Sequence, residues 1–153
     1  MGAKGRVEAV CVGERKGEPK RPAPSIVLLP DFGAQGDAHA GSERQVSLLA
    51  TESLDKLRAK GLQVGPGDLA ENITTSGIEL RALPVGTVLR IGEATLEVTQ
   101  IGKECHAPCA IARQAGECVM PTEGIFARVV VGGEVRPGDA ITQEPACGGS
   151  GDV

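Results

Sequence analysis

Three of the five cysteines and one of the two histidines fall together in Gly102-Lys103-Glu104-Cys105-His106-Ala107-Pro108-Cys109-Ala110-Ile111 and at Cys118, just downstream. The chain has no Trp and no Tyr, so covalent or metal chemistry has few other places to occur. A thiolate is both a nucleophile and a metal ligand, and cationic neighbours favour it over the thiol. Cys109 follows Pro108 and opens Cys109-Ala110-Ile111-Ala112, where a loop enters a regular element, with Lys103, His106 and Arg113 close in sequence. On residues alone two readings stay open for Cys109: a reactive thiolate or a buried structural cysteine. A tetrahedral zinc site from Cys105, His106, Cys109 and Cys118 is a third arrangement to weigh. The spacing is C-x3-C with a cysteine nine residues on, not the tight C-x2-C knuckle, and the side chains of adjacent Cys105 and His106 diverge. Zinc is therefore disfavoured. Cysteine-protease chemistry lacks a separated histidine and acid in a recognisable setting.

A second set of residues could bind an anion. Gly36-Asp37-Ala38-His39-Ala40-Gly41 is a glycine-rich loop able to present backbone N–H groups, with His39 as a further donor. A plain surface turn explains the loop equally well. Arg15, Lys16, Lys20 and Arg21 are the densest basic patch, and a charge run of this kind reads first as a solvated face. Arg44 directly follows the glycine loop and precedes an apolar run, which places it to point into a cleft. Asn72 and Thr74 are polar residues beside a strand-like segment, as ligands or as turn-formers.

The elements that must position these groups are mostly strands. Residues 6–13 alternate apolar and polar as a half-buried strand does, with Cys11 read as a small buried hydrophobe. The loop 14–22 contains two prolines, and its charges place it in water. Residues 25–29 form a short strand ending at Pro30, and 46–49 another. Thr51 is the expected N-cap of a helix over 52–60, with Glu52 and Lys56 at i,i+4 spacing and Gly61 as the stop. Beyond Gly65 the chain reads as β. A turn at Pro66-Gly67-Asp68 precedes a strand-like run over 69–75 and a turn at Ser76-Gly77. Residues 87–91 and 95–101 form a hairpin across Gly92-Glu93. Residues 126–131 and 134–136 flank Gly132-Gly133, a pair suited to a type I′ turn, and Pro137-Gly138-Asp139 leads to a last strand over 140–142. Many short strands with one or two short helices predict a closed or nearly closed β-barrel. The glycine-rich end, 144–153, is expected to be disordered.

Composition narrows the function. At 153 residues the chain is one domain, and its core must be built from Val, Leu, Ile and Ala because Phe32 and Phe126 are the only aromatics. A net charge of −4 without interleaved aromatic and basic residues argues against nucleic acid as a partner. No run of about 18 apolar residues exists to span a membrane. The first residues lack the apolar stretch of a secretory signal, and the odd cysteine count suits a reducing, cytoplasmic compartment.

Several of these segments, in order, resemble MOSC domains, named for the C-terminal domain of molybdenum cofactor sulfurases. They are Gly36-Asp37-Ala38-His39-Ala40-Gly41 followed by Arg44-Gln45-Val46-Ser47-Leu48-Leu49, then Gly67-Asp68-Leu69-Ala70-Glu71-Asn72-Ile73-Thr74-Thr75. Leu83-Pro84-Val85-Gly86-Thr87, the cysteine cluster, Gly124-Ile125-Phe126-Ala127-Arg128-Val129 and Arg136-Pro137-Gly138-Asp139 continue the match. The resemblance covers about residues 6–143 and is to the short, stand-alone bacterial type. It implies a barrel like that of pyruvate kinase's barrel domain. It also implies one key cysteine, matched here by Cys109, that carries sulfur as a persulfide or ligates molybdenum. Cys105 and Cys118 are then features of the short type that resolve or relay sulfur. Lys16 and Arg44 fall where relatives gather basic residues around the anionic tail of the molybdenum cofactor, and His39, Asn72 and Lys103 join them as candidate cofactor contacts. The chain lacks both the N-terminal barrel extension of the amidoxime-reducing relatives and the pyridoxal-phosphate domain of full sulfurases. A sulfurtransferase-type role is therefore implied in place of a complete oxidoreductase. The implied partners are a separate pyridoxal-phosphate cysteine desulfurase and molybdenum cofactor biosynthesis proteins or molybdoenzymes.

Overall fold

The computed structural model describes residues 4–14, 20–38, 40–42, 44–101 and 124–144. Among the described residues the strands are β1 (Lys4–Val12), β2 (Arg21–Ala23), β3 (Ile26–Leu29), β4 (Gly33–Ala34), β5 (Val46–Ala50), β6 (Ile73–Ser76), β7 (Val88–Ile91), β8 (Ala94–Ile101), β9 (Ile125–Val131), β10 (Gly133–Val135) and β11 (Ala140–Gln143), with one α-helix, α1 (Thr51–Ala59), and a 3-10 turn at Leu80–Ala82. Starting at β11, the main sheet runs through β7, β8, β9, β5, β6 and β1, and β1 pairs back onto β11. Seven strands thus close a barrel, as the strand pattern predicts. Closure removes the unpaired edges that an open sheet of such short strands would expose. The strand β2 extends β1 at one end, and β10, β3 and β4 make a separate small sheet.

Alternation along the strands sorts side chains into two layers. Val7, Val10, Val46, Leu48, Ile73, Leu96, Ile125 and Ala127 belong to the cluster that fills the barrel. It contains no aromatic residue, as the composition requires. On the outer wall Leu49, Leu54, Leu57, Val64, Leu69 and Phe126 form a second cluster beneath α1. This helix is needed for connectivity. β5 and β6 are parallel neighbours, Leu48 beside Ile73 and Ala50 beside Thr75, and parallel neighbours require a crossover. Burying Leu54 and Leu57 against the wall stabilises it by about 1.5–3 kcal/mol each.

Local structure departs from the sequence pattern in several places. The helix begins at Thr51, with Ala50 at the cap position and no side-chain cap. Glu52 Oε2 accepts a hydrogen bond from the Gly77 backbone N–H at 3.0 Å, tying α1 to the end of β6. Gly61 ends the helix at φ 91°, as expected. Residues 66–70 are turn, and the strand expected over 69–75 spans only Ile73–Ser76. The type I′ turn at Gly132-Gly133 does not form, because neither glycine has positive φ and β10 pairs with β3. Both glycines serve close approach instead. A Cβ at Gly132 would lie 2.7 Å from the Leu28 carbonyl oxygen, and one at Gly133 would lie 2.7 Å from the backbone of Glu93. At the far end Glu144 still donates from its backbone to Val88, at 2.8 Å. The glycine-rich residues after it lie outside the described residues.

Candidate functional site

The strand ladder brings the two feet of the cysteine segment together. Ile101, the last residue of β8, pairs with Ile125, the first of β9. Residues 102–123 connect these two paired positions in sequence. Cys105, Cys109, Cys118 and Lys103 are in that segment, and with Lys16 and His39 they lie outside the described residues. Of the expected site residues, Arg44 and Asn72 are described.

Arg44 is half-buried just before β5. Its guanidinium carbon sits 5.5 Å from the centroid of the Phe126 ring, within the range of a cation–π contact. Phe126 is one residue beyond Ile125, so the cation stands close to the start of β9, the strand that follows the cysteine segment in sequence. Among the described residues the Arg44 side chain makes no hydrogen bond and no ion pair. The contact with the ring uses none of the guanidinium N–H groups, which among the described residues have no acceptor. Such a fork suits a carboxylate or phosphate.

Asn72 is fully buried and binds backbone. Its Nδ2 donates to the Cys11 carbonyl at 3.0 Å, and its Oδ1 accepts the Ser47 backbone N–H at 3.1 Å. The Cys11 N–H donates to the Asn72 carbonyl at 2.7 Å. One side chain thus ties β1 and β5 together just ahead of β6, a structural role on the turn-former side of the two readings. Thr74 donates its hydroxyl to Glu71 Oε2 at 2.9 Å.

Lys20 corrects the picture of a solvated basic loop. Its side chain is 1% exposed, and its ammonium lies 2.8 Å from Oδ1 of Asp37, whose side chain is 0% exposed. Asp37 also accepts the Gly13 N–H at 3.0 Å, and the Ala38 N–H donates to the Gly13 carbonyl at 2.7 Å. The loop beginning at Gly36 is thereby fastened to the end of β1, with Gly36 and Gly41 at φ 83° and 82°, the unusual angles its glycines suggest. Sequence reasoning overlooked the pair because its members are 17 positions apart and each alone reads as surface. Gln45 was overlooked too: its Oε1 accepts the Val129 N–H at 3.0 Å and its Nε2 donates to Asp31 Oδ1 at 3.3 Å.

Cys11 is the buried hydrophobe expected, with a thiol pushed up to about 12 by burial first, then by Glu71 and Asp68, against an opposing effect of Lys20. It remains a protonated, unreactive thiol. Burial likewise raises the Glu71 carboxyl, outweighing hydrogen bonds from the Gly67, Glu71 and Leu69 backbone and from Thr74. Among the described residues Glu71 Oε1 has no hydrogen-bond partner. Among the described residues no group of three or more His, Cys, Asp or Glu is placed to hold a metal, and no described helix is long and apolar enough to cross a membrane.

A closed seven-stranded barrel with a crossover helix on its wall, and a cysteine-bearing stretch of sequence between β8 and β9, defines a recognisable class. The MOSC domain model matches residues 35–142, and the chain belongs to that family, which is associated with the molybdenum cofactor. Among solved structures it is similar to the YuaD protein of Bacillus subtilis, with TM-score 0.79 and 19% identity over 94% of this chain and 97% of that one. YiiM from Geobacillus stearothermophilus aligns with TM-score 0.69 and 18% identity, over 92% of this chain and 75% of its own. YiiM from Escherichia coli aligns with TM-score 0.66 and 20% identity, over 92% and 69%. No curated protein matches the sequence.

Proposed function

We propose that this protein carries sulfur for the molybdenum cofactor, with Cys109 as the accepting thiol. The observation supporting the reading is Arg44, a cation held on Phe126 with its N–H groups unengaged among the described residues, beside the foot of the segment that bears Cys109. Arg44 fits the phosphate tail of a pterin cofactor, and Lys16, His39 and Lys103 would add positive charge or donors there. The cofactor, when bound, supplies the metal centre that takes up sulfur.

The donor is a separate pyridoxal-phosphate cysteine desulfurase carrying a persulfide. The Cys109 thiolate attacks the outer sulfur of that persulfide. A new S–S bond forms at Cys109 as the donor's S–S bond breaks, and the donor cysteine leaves as a thiolate. In this loading step the sulfane sulfur keeps its oxidation state, so loading requires no external oxidant or reductant. Handing it on as sulfide would take two electrons from a second thiol that is left in a disulfide with Cys109. Cys105 and Cys118 would resolve or relay the sulfur, in a reducing cytoplasm that keeps idle thiols free. Incubation with desulfurase and cysteine is expected to load the native protein and leave Cys109→Ser empty. Persulfide at the native level on that variant would overturn the proposal.

Arg44 supports a second reading equally well, in which the protein is a cofactor carrier or insertion factor with Cys109 as thiolate ligand to molybdenum. Near-stoichiometric molybdenum after anoxic incubation with cofactor, lost in Cys109→Ser, would favour the carrier. Its absence from both proteins would favour sulfur transfer.

A further inference from the structure

In the regular β5–β9 ladder Val46 lies opposite Ala127, Ser47 opposite Phe126 and Leu48 opposite Ile125. Val46 and Leu48 point into the barrel, whereas Phe126 belongs to the outer cluster. Strict alternation continued backward from Val46 would turn Arg44 inward as well. Arg44 instead lies against the outward-facing Phe126, so the alternation breaks between them, at Gln45.

The side chain of Gln45 accounts for the break. Continued past Val46, the register would set Gln45 opposite Arg128 and Arg44 opposite Val129, but the Val129 backbone N–H donates to Gln45 Oε1 at 3.0 Å. A side-chain carbonyl thus stands in for a strand carbonyl, so the Val129 donor is satisfied without the chain continuing as strand. The other half of the amide donates to Asp31 Oδ1 at 3.3 Å. Gln45 itself is buried. Its neighbour is then free to leave the ladder, and the Arg44 N–H is taken up locally by Ser42 Oγ at 3.1 Å.

We infer that Gln45 is a positioning residue: by replacing a strand hydrogen bond with a side-chain one, it turns Arg44 out of the barrel and onto Phe126. Asp31 sets the orientation of the amide. The inference rests on the proposed anion-binding role of Arg44 for its functional meaning, but not for its geometry.

The test reads geometry and binding separately. A proton held over an aromatic face is shifted upfield, so the Arg44 Nε–H resonance, assigned by its loss in Arg44→Lys, reports the contact with Phe126. Gln45→Leu is expected to move that resonance to the position of an exposed arginine and to weaken titration by inorganic phosphate about tenfold, the loss of roughly one charge-assisted contact. Gln45→Asn, polar but one methylene short of Val129, carries the same expectation should Gln45→Leu fail to fold. The exchange variant Gln45→Glu/Asp31→Asn keeps an acceptor for Val129 and moves the N–H donor to position 31. It is expected to restore both signals at a native Tm. An Arg44 resonance unmoved in Gln45→Leu or Gln45→Asn, or not restored in the folded exchange variant, would overturn the inference. If the resonance follows Gln45 but phosphate binds none of the proteins, positioning stands and the anion role of Arg44 falls.

Discussion

Breaking the buried pair between Lys20 and Asp37 should be among the most damaging single changes in the described chain. Both side chains are withdrawn from water, at 1% and 0% exposure, with their charged ends 2.8 Å apart. Asp37→Leu would leave the Lys20 ammonium sealed without its counter-charge and remove the acceptor of the Gly13 N–H. Removing one partner of such a pair costs about 3–5 kcal/mol. Domains of this size are stable by about 5–15 kcal/mol in total. At a urea dependence of about 2 kcal/mol per molar, the midpoint should fall by roughly 2 M. The double variant Lys20→Met/Asp37→Leu removes both charges from the interior, and the orphaned Gly13 N–H among its losses costs about 1–3 kcal/mol. The double should therefore be more stable than the single. Equilibrium urea unfolding of the four proteins in the cycle gives the coupling directly. A cost below about 1 kcal/mol for Asp37→Leu, or simple additivity in the double, would mean that water reaches the pair and the argument from burial is wrong.

The other expectations can be checked with the same protein. The Glu71 carboxyl is raised above its ordinary 4.5 by burial, so its stabilising contribution is complete below that value and is lost as pH rises through the folded-state value. Unfolding free energy of the native protein should fall with rising pH relative to Glu71→Gln, and parallel pH profiles would refute this. Cys11, with its thiol pushed up to about 12, should resist alkylation in the folded protein at pH 8 and react only after unfolding, as peptide mass spectrometry would show. Gly133→Ala places a Cβ 2.7 Å from the Glu93 backbone and should cost about 1–3 kcal/mol, whereas alanine at a true I′ turn glycine would also have to enter positive φ. Asn72→Leu removes the ties to Cys11 and Ser47 and leaves buried backbone groups without partners. Thermal unfolding should show a loss of several degrees or more, from about 1–3 kcal/mol per orphaned group.

Much of the barrel was legible because its signals are local. Alternation over residues 6–13 and 95–101, the Gly92-Glu93 turn and the glycine stop at Gly61 each depend on near neighbours in sequence. The parts that were not legible depend on partners far away. Whether Lys20 faces water or Asp37 is decided across the fold. Gly132 and Gly133 look like a turn pair, but they are small because the Leu28 carbonyl and the Glu93 backbone pass close by. The strand expected over 69–75 is shortened because Asn72 uses its side chain to join β1 and β5, and because Ala70 sits at φ 65° in the preceding turn. At the candidate site, Arg44 stood out by its position after a glycine loop. Its ring contact and its dependence on Gln45 needed the β5–β9 register to become visible.

The most direct test of sulfur handling follows the atom itself. Cysteine labelled with ³⁵S, a pyridoxal-phosphate desulfurase and this protein are combined, and the reductant-labile label is located by peptide after rapid alkylation. The account predicts label on the peptide containing Cys109, formed with release of the donor thiol and absent in Cys109→Ser. Label that settles elsewhere in the chain, or is unchanged in Cys109→Ser, would contradict it.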